Sequence, residues 1–220
     1  MILKNNIKIS LDKFINEALY SKSKGYYSKK NPIGQKGDFI TSPNISVMFS
    51  EMIAIWIVSL WENLGSPKKI NVIELGAGSG EMMSQILKTI DNFKKFKSSS
   101  KFFIHEKSAY LKKTQKNKIQ KYDVKWIDNL NKISNYPSIF IANEFFDSLP
   151  IKQFVKKKNN WFERFIHSKD KKLQIIDIKT KKKLIEKVIK LKIDSNEKFI
   201  EYSPLAFRKL NIISKIVKKK

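Results

Sequence analysis

One stretch constrains this chain more than any other. An apolar run, Ile70 to Leu75, ends in Gly76, Ala77, Gly78, Ser79 and Gly80, and a helical pattern follows as far as Ile90. Glycine reaches backbone torsions closed to other residues and lets a ligand approach the main chain closely. A helix opening just past such a turn presents N–H groups with no partner inside the helix. Strand, glycine turn and helix together predict an α/β fold with a ligand at the carboxyl edge of a parallel sheet.

The neighbouring segments agree. Short apolar strands are expected at Phe102–His105, Val124–Ile127 and Ser138–Ala142, with helical patterns at 80–90 and 107–120. Strands alternating with helices imply a parallel sheet. Upstream, 8–20 reads as a helix capped by Ser10, 21–44 as a loop and 45–63 as an apolar helix stopped by Gly65 and Pro67. After Pro150 the texture changes. Gln153–Lys156, Trp161–His167 and Leu173–Ile178 alternate like antiparallel strands, while 181–191 suits either helix or strand. A strand at Phe199–Tyr202 and a helix over 204–217, begun by Pro204, complete the pattern. The division expected is a helical and loop cap (1–66), a ligand-binding core (67–150) and a β-rich insertion with a terminal helix (151–220).

Composition removes several classes of chemistry. The 220 residues contain no cysteine, which excludes disulfides, cysteine–zinc sites, iron–sulfur clusters and cysteine nucleophiles. Only His105 and His167 could serve a histidine metal site, and both read as strand residues, so no metal is expected. The net charge of +25 points toward nucleic acid. Yet the only arginines are Arg164 and Arg208, against 43 lysines. Arginine is the usual residue for bidentate phosphate and base contacts. Ile, Asn, Phe and Lys are all abundant and share AT-rich codons, so compositional drift is the simpler source of the charge. Met1–Ser10 has no apolar core of a signal peptide, and Ile45–Trp61 is short for a bilayer span of about 20 residues. A soluble protein of the cytoplasm, or of the mitochondrial matrix in a eukaryote, is expected.

Three ligands compete for the glycine turn. A P-loop needs Gly-Lys-Ser/Thr at its end, and none is present. A dinucleotide site needs Gly-x-Gly-x-x-Gly, and here the third glycine comes one residue early. S-adenosyl-L-methionine fits better. Glu74, two residues before Gly76, is placed to meet its amino group, and the backbone at Gly76, Ala77, Gly78 and Gly80 makes room for its methionine and ribose. Glu106, just past the next strand, is a carboxylate for the ribose hydroxyls. It lies beyond the usual offset of about 20 residues. The Lys- and Ser-rich stretch 94–101, read as a loop, absorbs the difference.

Further segments carry a resemblance. Tyr26-Tyr27, Pro32-Ile33-Gly34, Gly37-Asp38-Phe39-Ile40-Thr41-Ser42-Pro43, the Glu-Leu-Gly-Ala-Gly-Ser-Gly turn and Ala142-Asn143-Glu144-Phe145-Phe146-Asp147-Ser148-Leu149-Pro150-Ile151 occur in one order. Over about residues 20–205 the chain resembles the MidA-type S-adenosyl-L-methionine-dependent methyltransferases, which include the mitochondrial complex I assembly methyltransferase. The resemblance implies a Rossmann-like class I methyltransferase sheet and a protein substrate carrying an arginine. It implies a link to respiratory complex assembly. Glu144 resembles the first acid of the paired-glutamate loop in arginine methyltransferases, with Asn143 beside it and Asp147 as a second acid. Phe145 and Phe146 offer core packing or a face for the cation. Asp38 and Thr41 sit on a loop that can close over the cofactor. Family members continue past the point where this chain stops, so the sheet is expected to be incomplete at its C-terminal side. Two other readings remain: an RNA methyltransferase, which the charge favours, and a non-catalytic assembly or binding protein that keeps the fold.

Overall fold

A computed structural model describes residues 6–21, 24–29, 38, 41–170, 172–191 and 198–217. In chain order the elements are β1 (Lys8–Ser10), α1 (Leu11–Tyr20), α2 (Tyr26–Lys29), α3 (Ser42–Ile45), α4 (Val47–Asn63), β2 (Ile70–Leu75), α5 (Glu81–Ile90), α6 (Lys94–Ser99), β3 (Ser100–His105), α7 (Ala109–Lys118), β4 (Val124–Ile127) and β5 (Ser138–Ile141). Then follow β6 (Lys152–Lys157), β7 (Asn160–Lys169), β8 (Lys172–Lys179), α8 (Lys182–Ile189), β9 (Phe199–Tyr202) and α9 (Pro204–Val217). They form two compact units. One takes Tyr26–Asp147 and Lys209–Lys220, the other Met1–Gly25 and Ser148–Arg208. Residues from 1–66 therefore contribute to both.

The first unit holds a four-stranded parallel sheet in the order β4-β3-β2-β5. All six residues of β2 are buried, as a central strand covered on both faces requires. Alternation along the strands divides the core. Val72, Phe102 and Ile104 pack with Ala54 and Ile57 of α4 and with Met83 and Ile86 of α5. Ile73, Leu75 and Phe103 face the other way, with Leu130 and with Ile212, Ile213 and Ile216 of α9. The sheet thus has helices on both faces, as a Rossmann-like methyltransferase fold has.

The stretch expected as a loop at 94–101 is α6 followed by the start of β3. Lysine and serine hid it, because a single apolar residue anchors the helix. Phe96 is buried and meets the Trp61 ring edge-on at 5.4 Å.

The second unit is antiparallel, ordered β1-β7-β6-β9, with β8 on the other side of β7. Phe154, Ile185, Val188, Ile200 and Tyr202 form its core. The ambiguous stretch 181–191 resolves as α8, whose Ile185 and Val188 reach that core at helical spacing. Residues 8–10, expected within the first helix, form β1 instead, with Ile9 opposite Ile166. Ser10 is extended and ends the strand where α1 begins. Among the described residues no helix is long and apolar enough to cross a membrane.

Candidate functional site

The site grows from the end of β2. Gly76, Gly78 and Gly80 all have left-handed torsions, with φ of 67°, 53° and 81°. Other residues reach this region only at a cost. The ladder to β3 runs one residue past the strand, since the Gly76 N–H donates to the His105 carbonyl at 2.9 Å. The chain then turns sharply into α5, with Gly80 at its N-cap. Gly76 is also needed sterically, because a Cβ there would lie 2.6 Å from Cδ2 of Phe145. Gly76→Ala is therefore expected to destabilise the fold by about 1–3 kcal/mol. Urea unfolding checks this, and an unchanged midpoint would show that both the turn and the Phe145 ring relax freely.

Two buried carboxyl groups flank the turn. Glu74 is the fifth residue of β2 and 2% exposed. Its Oε2 has no hydrogen-bond partner among the described residues. Burial, and secondarily the charge of Glu106, push its pKa up to about 8. Glu106 directly follows β3, the strand paired with β2. Its Oε1 accepts the backbone N–H groups of Lys107 and Ser108, each at 2.8 Å. Burial raises its pKa as well, against the pull of those N–H groups.

Sequence reasoning missed Gln115, which joins these parts. It is fully buried on α7. Its Nε2 donates to the Gly78 carbonyl at 2.9 Å and to Glu106 Oε2 at 3.2 Å. Its Oε1 accepts from Trp126 Nε1 at 2.9 Å. One signal was available. Leu111 and Gln115 are the buried positions of this lysine-rich helix, so an amide stands one turn past Leu111 where an apolar residue would be expected.

Asn143 and Glu144 lie just past β5, which pairs Ile141 with Glu74 of β2. They therefore share the carboxyl edge of the sheet with the glycine turn. Glu144 is exposed and left-handed, with φ of 48°. Asn143 is half-buried, and Asp147 is exposed in a short 3-10 turn. Phe145 packs, as one of the two readings for it expected. Its ring lies over Gly76 and meets Phe146 edge-on at 5.3 Å. The Lys209 ammonium stands 5.4 Å from the Phe145 ring centre and donates to His105 Nε2 at 2.6 Å. His105 Nδ1 faces the Ile127 carbonyl at 2.9 Å. Burial and the nearby Lys209 hold the imidazole below its ordinary pKa, and the Ile127 carbonyl beside Nδ1 favours the tautomer protonated there.

Asp38 and Thr41 each make a local polar contact. Asp38 is exposed and accepts the Tyr26 hydroxyl, whose pKa rises to about 12 chiefly through that bond. Thr41 precedes α3 and its Oγ1 accepts from Asn44 Nδ2 at 2.9 Å. Gly37, Phe39 and Ile40 of the same loop lie outside the described residues. Tyr27 approaches the site from α2. Its carbonyl accepts from Ser108 Oγ at 2.7 Å, and its hydroxyl pKa is raised by burial and by Glu106.

Known proteins share this arrangement of chain. A solved structure from Burkholderia thailandensis, a COG1565 superfamily member bound to S-adenosyl-homocysteine, superposes with a TM-score of 0.79 at 21% identity. It covers 95% of this chain and 55% of its own, and it establishes the fold. Among curated proteins, "Protein arginine methyltransferase NDUFAF7, mitochondrial" from Xenopus laevis is 33% identical over 188 residues, covering 74% of this chain and 43% of its own. The protein of the same name from Danio rerio is 34% identical over 178 residues, covering 70% and 42%. The chain thus spans less than half the length of the curated relatives it matches. Residues 52–219, well over half of the chain, match the family described as "Putative S-adenosyl-L-methionine-dependent methyltransferase", and the chain belongs to that family.

Proposed function

We propose that this chain binds S-adenosyl-L-methionine at the β2 turn and transfers its methyl group to an arginine of a protein. One observation carries the reading. Glu74, two residues before the first of three left-handed glycines, has a buried carboxyl oxygen with no partner among the described residues, and a second buried carboxyl, Glu106, follows the adjoining strand. An unpaired buried carboxyl is costly unless a ligand satisfies it. Glu74 fits an ammonium, the glycines leave backbone room, and Glu106 fits the ribose. Bound there, S-adenosyl-L-methionine supplies an electrophilic methyl group on a sulfonium.

The protein's own part is chiefly positioning. A guanidinium nitrogen is a poor nucleophile while its lone pair is delocalised. Glu144, with Asp147, can grip one edge of the group and turn a nitrogen toward the methyl. These carboxylates favour a cation and repel phosphate, so protein is preferred over RNA despite the net charge of +25. The arginine reading is supported by the name of the relatives, and a respiratory-complex subunit is the substrate class that follows from the resemblance. The relatives are named as mitochondrial proteins. We place this chain in the mitochondrial matrix if its source is eukaryotic and in the cytoplasm otherwise.

Incubation with methyl-labelled cofactor, an arginine-rich protein fraction and total RNA, followed by hydrolysis, tests the proposal. Label is expected in methylarginine. Label confined to nucleotides would overturn the arginine assignment.

A further inference from the structure

We infer that Gln115 is a positioning residue for the cofactor's ribose, acting through Glu106. The inference rests on the cofactor reading above and deepens it. A carboxylate offers about four lone-pair sites. At Glu106, Oε1 already accepts two backbone N–H groups, from Lys107 and Ser108. Oε2 accepts from Gln115 alone among the described residues. With Oε1 filled, one lone pair remains, on Oε2, and Gln115 fixes its direction.

Gln115 is itself fixed from two sides. Its other amide hydrogen goes to the Gly78 carbonyl at 2.9 Å, and its oxygen takes the Trp126 indole N–H at 2.9 Å. One amide therefore ties the glycine turn to the acid just past the neighbouring strand. The contact at Gly80 is close as well, since a Cβ there would stand 3.3 Å from Gln115 Cα and Cγ. A side chain placed only for packing would be apolar here, because a fully buried amide stabilises little beyond recovering its own desolvation. The counting also makes the recognition asymmetric. A single lone pair on Oε2 serves one ribose hydroxyl strongly, and the second hydroxyl has no equal acceptor on Glu106.

The probes are S-adenosylhomocysteine and its 2′-deoxy and 3′-deoxy analogues, titrated calorimetrically into the 220-residue chain and into Gln115→Met. The wild-type chain is expected to lose about ten- to a hundredfold in affinity with one deoxy analogue and much less with the other. Gln115→Met is expected to bind S-adenosylhomocysteine about tenfold or more weakly, and the two deoxy analogues almost equally. Collapse of that ratio separates positioning from a packing role, which would weaken all three ligands alike. Trp126→Phe removes the donor to Gln115 Oε1 while keeping an aromatic ring, and it is expected to give a smaller shift of the ratio in the same direction. This second variant keeps the test open if Gln115→Met does not fold. A ratio unchanged in a folded variant overturns the inference while the cofactor reading stands. Failure of the wild-type chain to bind any of the three overturns both.

Discussion

Glu74→Gln is expected to stabilise the ligand-free chain at neutral pH and to weaken its cofactor binding by about ten- to a hundredfold. The two effects have one cause. The Glu74 carboxyl sits near 8 in the fold, against an ordinary value of 4.5. Between those values the native chain holds a proton that the unfolded chain has released. Stability of the wild-type chain therefore falls as pH rises from about 4.5 to about 8, and Glu74 adds no further slope above that. At pH 7 the accumulated cost is on the order of 3 kcal/mol. Glutamine is isosteric with the protonated acid and never ionises, so its contribution is flat across the same window. Urea unfolding of both chains from pH 5 to pH 8.5 should give curves that meet at the acid end and separate toward pH 8. Parallel curves would show that Glu74 ionises freely in the fold. The binding loss follows because an amide cannot give an ammonium the charge-assisted bond of a carboxylate. A site retained at the expense of the free fold is expected where function requires it.

Glu144→Gln should separate chemistry from cofactor binding. Glu144 is exposed, on a left-handed backbone just past β5, whereas Glu74 and Glu106 are buried. Glutamine occupies the same volume and bears the same backbone strain, so the fold and the grip on the cofactor should be unchanged. What glutamine lacks is the negative charge proposed to hold and orient the guanidinium. Turnover is expected to fall at least about a hundredfold, with S-adenosylhomocysteine affinity within about twofold of wild type. Single-turnover transfer from labelled cofactor measures the first quantity and calorimetry the second. Normal turnover would remove Glu144 from the mechanism. A parallel loss of cofactor affinity would make it part of the cofactor site instead.

Much of the architecture was legible because its signals are short-range. Apolar runs such as Ile70–Leu75 and Ser138–Ile141 mark strands of a parallel sheet, the first of them buried throughout, and glycines at 76, 78 and 80 mark a turn built on left-handed torsions. The proximity of Glu74 and Glu106 followed from strand adjacency in a parallel sheet. Features that depend on one residue meeting a distant partner were not legible. Phe96 anchors α6 against Trp61 although three lysines accompany it in that helix. β1 exists because β7 offers it a ladder, and nothing in Lys-Ile-Ser announces that pairing. Gln115 and Lys209 were hidden for the same reason. Gln115 sits on a lysine-rich helix and Lys209 is one of many lysines in the chain, and the partners of both come from other elements.

The central claim is that Glu74 and Glu106 hold S-adenosyl-L-methionine against the glycine turn. Calorimetric titration of the wild-type chain with S-adenosylhomocysteine at pH 7 tests it most directly, run in two buffers of different ionisation enthalpy. The account predicts a Kd near micromolar, about −8 kcal/mol, with a heat that differs between buffers because Glu74 gives up its proton when the ammonium binds. A folded chain that produces no binding heat, or binding that takes up no buffer-dependent heat and survives Glu74→Gln unchanged, would contradict it.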